Sequence, residues 1–292
     1  MSYFILNNTS LKRFHTFQLD VIAEIVILPT DKNALISALR DYSDKKIVLI
    51  GKGSNMIFSQ SSYDANTVFI VTTMVDLIEL SDNLIHVDAG GTMNQFAWFT
   101  CENSIDGYAF CEDIPGTLGG ALMMNAGQWQ YTIGQYVKWI EVFDYDTQSV
   151  RIIYPEDDFF GYRYSRLNEM NVCVLEVALS IQKGEYMDIL DLMLQYRRER
   201  YVKQPRQFPN AGSVFKRPKD KEGNSLFTWQ LFDACDLRGF QIGDAQVSVK
   251  HPGFIVNTGN AKVADVQLVI AECKKRVKEQ FDVDLELEWR VI

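Results

Sequence analysis

The segment that most constrains this chain is Glu112–Trp129, EDIPGTLGGALMMNAGQW. It contains four of the 18 glycines and two adjacent methionines. Because glycine has no Cβ, the backbone at Gly116, Gly119 and Gly120 can approach another group closely, and the proline before them stiffens the entry. Exposed N–H groups of such a loop can bind a phosphate, and methionine offers a polarizable surface to a flat ring. The local alternative is a packed loop between two sheets.

A second glycine turn lies upstream, in VLIGKGSNMIF (residues 48–58). It is not a Walker A loop, because no Gly-Lys-Ser/Thr follows a four-residue gap. It is not the dinucleotide fingerprint either, because Met56 stands where the third glycine belongs. Alone, the turn is explained equally well as an ordinary glycine turn. Two glycine segments, roughly 60 residues apart and each able to approach a phosphate, suit a dinucleotide with a large planar head.

Composition narrows the class of protein. The 292 residues are 47% hydrophobic, which is enough for two domains, and 29 basic against 38 acidic residues make a nucleic-acid backbone a poor partner. Five scattered cysteines without a CxxC pair predict a reduced, cytoplasmic chain in which each cysteine is a core residue. No signal peptide and no membrane-spanning run is predicted. Three widely spaced histidines predict no metal site, and without Gly-x-Ser-x-Gly no hydrolase triad is indicated.

Hydrophobic periodicity predicts a chain of mixed helices and strands. The first strand is expected at residues 21–29, followed by a helix that Thr30 or Asp31 would cap. The other predicted elements that bear on the site are a hairpin over 139–155, a half-buried strand over 171–182, a helix over 184–204 that ends before Pro205, a helix over 225–239 closed by Gly239, a helix over 260–281 capped by Asn260, and an alternating strand over 282–292.

A basic cluster lies at the end of the helix predicted over 184–204. It could be a solvated helix end that complements the helix dipole. It could also be an anion-facing surface near a domain junction. Its members are Arg197, Arg198, Arg200, Lys203 and Arg206.

Three single residues are weak signals when taken alone. Arg163 lies between two tyrosines in FFGYRYSRLN and could be a surface arginine stacked on aromatic rings. Ser213 follows Ala-Gly in PNAGSVFKRP, where a simple turn is the plainer interpretation. Glu288 could belong to an acidic outer face of the last predicted strand.

The motifs as a set resemble one family, the UDP-N-acetylenolpyruvoylglucosamine reductases. GKGSN, IPGTLGGALMMNAG, GYRYS, PNAGSVFKRP, GFQIGDAQVSVKHPGFIVN and LELEWRVI follow that family's order and spacing, and the likeness extends to NNTSLKRFHTF at the front. The short overall length resembles the shorter of the two subtypes. The resemblance implies an α+β fold, in which a two-part FAD-binding domain of the p-cresol methylhydroxylase/vanillyl-alcohol oxidase type precedes a C-terminal α+β substrate domain. The implied boundaries are 1–72, 73–195 and 196–292.

The implied activity is NADPH-dependent, FAD-mediated reduction of UDP-N-acetylglucosamine enolpyruvate to UDP-N-acetylmuramate. This step belongs to bacterial peptidoglycan synthesis in the cytoplasm, and so to cell-wall biogenesis, cell shape and division. FAD would be held non-covalently, NADPH would be the co-substrate, and a monomer is compatible with the sequence. Two alternatives stay open: another FAD-dependent oxidoreductase of the same fold, and a non-catalytic UDP-sugar-binding relative.

The resemblance also implies roles for individual residues. Hydride from flavin N5 would add to the enolpyruvyl methylene carbon, and the resulting enolate needs stabilisation and then a proton. Arg163 offers a permanent cation, Glu288 can help only if protonated, which predicts an elevated pKa, and Ser213 matches the proton donor. The residues implied in flavin binding are Gly51, Gly53, Ser54, Asn55, Met56, Ile114, Gly116, Thr117, Gly120, Met123 and Gly127. Those implied in substrate or NADPH phosphate contact are Tyr162, Lys216 and Arg217.

Five positions depart from the family pattern. Lys52 stands where glycine is usual, and Glu112 and Asp113 precede Ile-Pro where apolar residues or glycine are commoner. Asp244 replaces a frequent glycine, and His15 replaces a frequent asparagine. These departures fall near the expected flavin and substrate contacts and leave the three catalytic matches in place.

Overall fold

The computed structural model describes residues 3–292, which form two compact units. The first unit contains residues 3–7, Ile25–Lys52 and Ala65–Arg200. The second contains Asn8–Glu24, Gly53–Asp64 and Tyr201–Ile292. Within residues 3–292, no helix has the length and apolar character that a bilayer crossing requires.

Six α-helices and four short 3₁₀ helices are present in the described chain. The α-helices are α1 (Lys32–Asp41), α2 (Met93–Glu102), α3 (Leu118–Met124), α4 (Tyr186–Lys203), α5 (Thr228–Ala234) and α6 (Val263–Phe281). The 3₁₀ helices are Leu11–Phe14, Ala109–Cys111, Ile133–Tyr136 and Arg166–Glu169.

The strands are short, and the longest spans ten residues. In chain order they are β1 (Tyr3–Ser10), β2 (Ile22–Pro29), β3 (Lys46–Ile50), β4 (Met56–Ile57), β5 (Ser62–Val71), β6 (Ile78–Ser81), β7 (Leu84–Asp88), β8 (Gly127–Gln128), β9 (Tyr131–Thr132), β10 (Val137–Asp144), β11 (Ser149–Ile153), β12 (Phe160–Gly161), β13 (Tyr164–Ser165), β14 (Val172–Ser180), β15 (Asn210–Ser213), β16 (Gln241–Ile242), β17 (Ala245–Val247), β18 (Phe254–Asn257) and β19 (Arg290–Val291).

The first four-stranded sheet has the order β1-β2-β5-β3, with β3 parallel to β5. Helix α1 turns its apolar face inward, and Leu35 and Leu39 are fully buried four residues apart. Asp31 caps this helix, because its carboxylate accepts a hydrogen bond from Ala34 N at 2.8 Å. Of the two predicted caps, Asp31 is therefore the one used.

A five-stranded sheet, β11-β10-β14-β7-β6, contains the hairpin predicted over 139–155. Its central strand β14 pairs antiparallel with β10 on one side and β7 on the other. Seven of its nine residues are buried, so the predicted half-burial of this strand is wrong. A central strand covered on both faces has no solvent face to fill with polar residues.

The second unit contains the antiparallel sheet β15-β18-β17-β16. Helix α6 buries one stripe of apolar residues spaced at three and four positions. That stripe consists of Val266, Val269, Ile270, Cys273 and Val277. The sequence predicts Val263, Val266, Ile270, Cys273 and Val277 on this stripe; Val263 is only partly buried, and Val269 is buried in addition to the other four. All five cysteines of the chain are buried and free of disulfides, as expected.

Two predicted helix ends are wrong. Helix α5 ends at Ala234 with Cys235 as its C-cap, so Gly239 lies beyond the helix, where its φ of +78° and its bond to Val247 O shape the following turn. Helix α6 has Lys262 as its N-cap, because Asn260 is held outside the helix by the Asp244 carboxylate.

Two predicted strands also differ. The first strand of the chain is β1, which precedes the strand predicted at 21–29. At the C-terminus only Arg290–Val291 forms a strand, parallel to Met56–Ile57. The apolar alternation still governs burial at Val283, Leu285 and Trp289, because side chains can alternate in burial without a continuous hydrogen-bonded partner.

Candidate flavin and catalytic site

The two glycine segments meet in the first unit. A Cβ added at Gly51 would lie 2.3 Å from Thr117 Oγ1, so only glycine fits there without displacement. The same Thr117 hydroxyl accepts a hydrogen bond from Gly120 N at 3.3 Å and caps α3. The two predicted flavin segments are therefore in direct contact at their glycines.

The glycines of the Ile114–Gly127 segment divide into two kinds. A Cβ on Gly119 would lie 3.0 Å from Ala89, and its N–H donates to Ala89 O at 2.9 Å, so this glycine packs α3 against the end of β7. Gly120 is exposed, and a Cβ there would meet only Thr117 Oγ1 at 3.5 Å. Bare backbone at Gly120 thus stays accessible to a ligand, whereas Gly119 serves packing.

The second half of the upstream turn belongs to the second unit. Gly53 has a φ of +57°, and a Cβ there would lie 2.3 Å from the Cβ of His15. Burial lowers the pKa of His15 to about 4, against the opposing effect of its bond to Leu19 O, so the ring is neutral near pH 7 and packs edge-on against Phe58. The contact with Gly53 uses the Cβ and Cα of His15, which any residue except glycine shares in kind, and nothing in the structure explains histidine at this position.

The same turn is tied to the C-terminal segment. Asn55 donates from Nδ2 to Glu288 O at 3.1 Å. Its own carbonyl accepts from Arg290 N at 3.0 Å. A residue predicted to bind flavin therefore fixes the backbone of the predicted catalytic acid.

Arg163 lies between β12 and β13 with a φ of +51°. A left-handed backbone at a non-glycine residue costs roughly 1–2 kcal/mol and often marks a functional position. Its Nη2 donates to Gly127 O at 3.3 Å, and Asn125 donates to Gly161 O at 2.9 Å, so the hairpin is bound to the end of the flavin segment. The guanidinium also lies 5.6 Å from the Tyr162 ring, so the aromatic interpretation is right in part.

Ser213 and Glu288 come together in the second unit. Gly212 has a φ of +79°, and the pairing register shifts between Asn210 and Ser213, which is a bulge directly before the serine. Bulges next to active sites commonly re-aim a side chain. Glu288 N donates to Val214 O at 2.9 Å, so the two predicted catalytic residues lie on neighbouring chain segments.

The three predicted phosphate contacts lie on the surface or near it. Tyr162 is 63% exposed. Lys216 forms an ion pair with Glu286 at 2.5 Å, and the Arg217 guanidinium lies 4.9 Å from the Phe227 ring. Their roles stay predictions.

A set of ion pairs around the flavin segment was not predicted from the sequence. Glu112 is 1% exposed and lies 3.2 Å from Arg197 Nε, and Asp113 lies 3.4 Å from Arg200 Nε. In the sequence, the two acids stand out as an unusual adjacent pair, and the two bases belong to the basic cluster at the end of a predicted helix. Their pairing across more than 80 residues leaves no local signal.

Comparisons with known proteins agree with this geometry. Residues 23–152 match the profile of an FAD binding domain, and residues 204–292 match the UDP-N-acetylenolpyruvoylglucosamine reductase C-terminal domain. The reductase of Caldicellulosiruptor saccharolyticus is 35% identical over 97% of this chain and 90% of its own length. That of Pseudothermotoga lettingae is 34% identical over 94% of each chain. The crystal structure of the Thermus caldophilus enzyme superposes with a TM-score of 0.78 at 26% identity, covering 99% of both chains.

The fold and the glycine segments define an FAD-dependent oxidoreductase with an FAD-binding domain of the p-cresol methylhydroxylase type. The chain belongs to the UDP-N-acetylenolpyruvoylglucosamine reductase family, the UDP-N-acetylmuramate dehydrogenases of peptidoglycan precursor synthesis. At 292 residues it is the short form of that family.

Proposed function

We propose that this chain reduces UDP-N-acetylglucosamine enolpyruvate to UDP-N-acetylmuramate in the cytoplasm, with NADPH as reductant and non-covalent FAD as carrier. Residues 1–72 and 73–195 would hold the flavin, and residues 196–292 the substrate. The identity to reductases over nearly the whole chain supports the substrate and the co-substrate.

The glycine geometry supports FAD as the cofactor. Gly51 and Thr117 approach too closely for any side chain at residue 51, and Gly120 leaves bare backbone exposed beside them. The Gly120 N–H is itself bonded to Thr117 Oγ1 at 3.3 Å, so what this position offers a pyrophosphate is close approach without a side chain. When bound, FAD supplies hydride from its N5 position to the substrate. Met123, on the same segment and half-buried, offers an apolar surface to the ring.

The chain's own residues would then manage the charge that develops on the substrate. The guanidinium of Arg163 binds the carboxylate into which the enolate charge spreads, and its planar fork suits two oxygens. The protonated carboxyl of Glu288 stabilises the same charge. The hydroxyl of Ser213 donates its proton to the carbon next to the carboxylate, which completes the reduction.

One observation carries this assignment of roles most directly. Ser213 follows a bulge, and its neighbour Val214 accepts a hydrogen bond from Glu288 N at 2.9 Å. This backbone contact brings the segments of the proposed proton donor and the proposed acid next to each other, as their action on one substrate requires. Asn55 of the predicted flavin turn holds Glu288 O at 3.1 Å in the same unit.

The first experiment measures NADPH oxidation with and without UDP-N-acetylglucosamine enolpyruvate, after release of FAD on denaturation has been checked. Oxidation that depends on the sugar nucleotide is expected. Oxidation that ignores it would favour another flavoenzyme of the same fold, and a protein that cannot be loaded with FAD would favour a non-catalytic relative.

Ser213→Ala tests the proton donor. Flavin reduction by NADPH should be nearly unchanged, and reduction of the enolpyruvate should slow by on the order of 10²–10³ or more. Rapid-mixing absorbance at the flavin band separates the two half-reactions. Ser225→Ala, an exposed serine of the same unit, should leave both intact. Equal damage to both half-reactions in Ser213→Ala would remove Ser213 from its role.

A further inference from the structure

The end of α4 brings a second guanidinium to the flavin segment. Arg200 Nε lies 3.4 Å from Asp113 Oδ2, with side chains only 16% and 13% exposed. Its Nη1 donates to Gln128 Oε1 at 3.2 Å, and Gln128 donates from Nε2 to Phe110 O at 2.6 Å. Arg200 therefore joins the residue just before the flavin segment to the residue just after it.

Arg163 and Arg200 hold consecutive residues of one short strand. Arg163 binds the backbone carbonyl of Gly127 at 3.3 Å, and Arg200 binds the side chain of Gln128. These two residues are the whole of β8. A movement of the Gln128 backbone would therefore displace the carbonyl that Arg163 uses as its acceptor, and the Arg200 contact restrains Gln128 from the side-chain end.

Two guanidinium groups in one partly buried region repel each other. Burial first, and then the charge of Arg163, lowers the pKa of Arg200 to about 10. The carboxylate of Asp113 supplies the counter-charge from a backbone with a φ of +67°. Aspartate is among the few non-glycine residues that tolerate this conformation. The departure from the family pattern at Asp113 thus supplies a counter-charge to Arg200.

We propose that Arg200 is a positioning residue that fixes Arg163 through Gln128, with Asp113 as its counter-charge. The proposal rests on the role of Arg163 given under Proposed function. It requires the arginine fork, because Nε faces Asp113 while Nη1 reaches Gln128. A lysine ammonium is a point charge and cannot hold both partners in that geometry.

The test is Arg200→Lys in the FAD-loaded enzyme, which keeps the charge and removes the two-ended contact. Misplacement of Arg163 should slow the enolpyruvate half-reaction by on the order of 10–100-fold. KM for the sugar nucleotide should rise by less than kcat falls, because Arg163 binds a carboxylate that the substrate already carries and that gains further charge in the transition state. Flavin reduction by NADPH should match wild type. Arg198→Lys, an exposed arginine of the same helix, is the matched control and should have no effect.

Gln128→Met removes the acceptor through which Arg200 acts. It should reproduce the slowing seen for Arg200→Lys, and the double variant should be no slower than either single one, because residues acting through one contact are not additive. Additive effects, or a raised KM with unchanged kcat, would mean that Arg200 contacts the substrate itself and would overturn the proposal.

A crystal structure of FAD-loaded Arg200→Lys gives a readout that does not depend on activity. Arg163 should have left Gly127 O in the variant and kept that contact in Arg198→Lys. Retention of the contact in Arg200→Lys would overturn the positioning role. An inactive wild-type enzyme would refute the proposed function, while the Arg163 conformation would still decide this proposal.

Discussion

Two ionic clusters in the first unit pair acids with bases in different settings. The sheet cluster is made of residues from regular helices and strands: Lys32, His86, Glu141 and Glu176. The loop cluster surrounds the start of the flavin segment: Glu112, Asp113, Arg197 and Arg200. Ion pairs between acidic and basic side chains therefore occur on a regular sheet in one cluster and on an irregular loop in the other.

The sheet cluster is short of positive charge. Glu141 and Glu176 are directly opposite on β10 and β14, where like charges repel. Lys32 lies 2.8 Å from Glu141 and 2.5 Å from Glu176, and His86 lies 2.8 Å from Glu176. Burial acts to raise the pKa of Glu176, but the bonds from Lys32 and His86 outweigh it and hold that pKa below its ordinary value.

The loop cluster is balanced, with two guanidinium groups for two carboxylates. Its acids lie on irregular backbone, and its bases lie on the last turns of α4. A regular ladder fixes the sheet whether or not its charges are paired, whereas an irregular segment depends on side-chain contacts for its shape. Loss of an ion pair in the sheet cluster should therefore lower the unfolding free energy alone, whereas loss of one in the loop cluster should also weaken flavin retention and catalysis.

Lys32→Met gives the largest expected effect on stability. It leaves Glu141 and Glu176 facing each other, with side chains 22% and 13% exposed and their shared cation gone. The free energy of unfolding should fall by about 3 kcal/mol near neutral pH. The difference should shrink as the pH falls through the lowered pKa of Glu176, since the carboxylate's contribution is present only above it.

Urea unfolding across pH measures this change, with the exposed Lys46→Met as control. FAD affinity of Lys32→Met should stay within about twofold of wild type, a difference under 0.5 kcal/mol. A parallel loss of FAD affinity would break the division of labour between the two clusters.

Glu112→Gln tests the loop cluster. The amide can still accept from Asn94 Nδ2, now 2.6 Å from the carboxylate, but it no longer balances Arg197. Arg197 is 49% exposed and can turn to water, so stability should fall by about 2 kcal/mol, below the range for a fully buried pair. FAD should bind about tenfold more weakly, measured by recovery of flavin fluorescence. Unchanged FAD affinity would contradict the role assigned to this cluster, and Glu102→Gln, on the exposed end of α2, is the control.

The sequence predicted what local pattern and motif identity encode. The glycine segments, the apolar stripe of α6 and the cap at Asp31 follow from residue type and spacing. The pairings of Gly51 with Thr117 and of Ser213 with the segment of Glu288 are long-range contacts. They were expected only because the motifs occur together in one family.

The features missed are those that tertiary context decides. Strand β14 is buried on both faces because β10 and β7 flank it and both faces are covered, which its alternating sequence does not reveal. Asn260 was displaced as a helix cap by its bond to Asp244. Arg200 was visible as part of a basic helix end, but its partners Asp113 and Gln128 are distant in sequence. A solvated helix end and a buried ion pair have the same local sequence.

Asp88→Asn tests the sheet cluster through the variant with the smallest expected change in unfolding free energy at pH 8. Asp88 ends β7 and is 8% exposed. Burial, with smaller contributions from Glu176 and Glu141 and against the charge of Lys32, raises its pKa from 3.8 to about 6.

A carboxyl whose pKa is higher in the folded state destabilises that state when ionised, so the cost is absent below about pH 4 and complete above about pH 6. Asparagine removes the charge, which is worth about 3 kcal/mol for a pKa raised from 3.8 to about 6, but it buries amide donors at a cost of about 2 kcal/mol at every pH. We therefore expect a net gain of about 1 kcal/mol at pH 8 and a net loss of about 2 kcal/mol at pH 4. Unfolding free energies measured at both pH values decide this, with the exposed Asp76→Asn as control. A gain that is equal at pH 4 and pH 8 would mean that charge near the sheet cluster is not its cause.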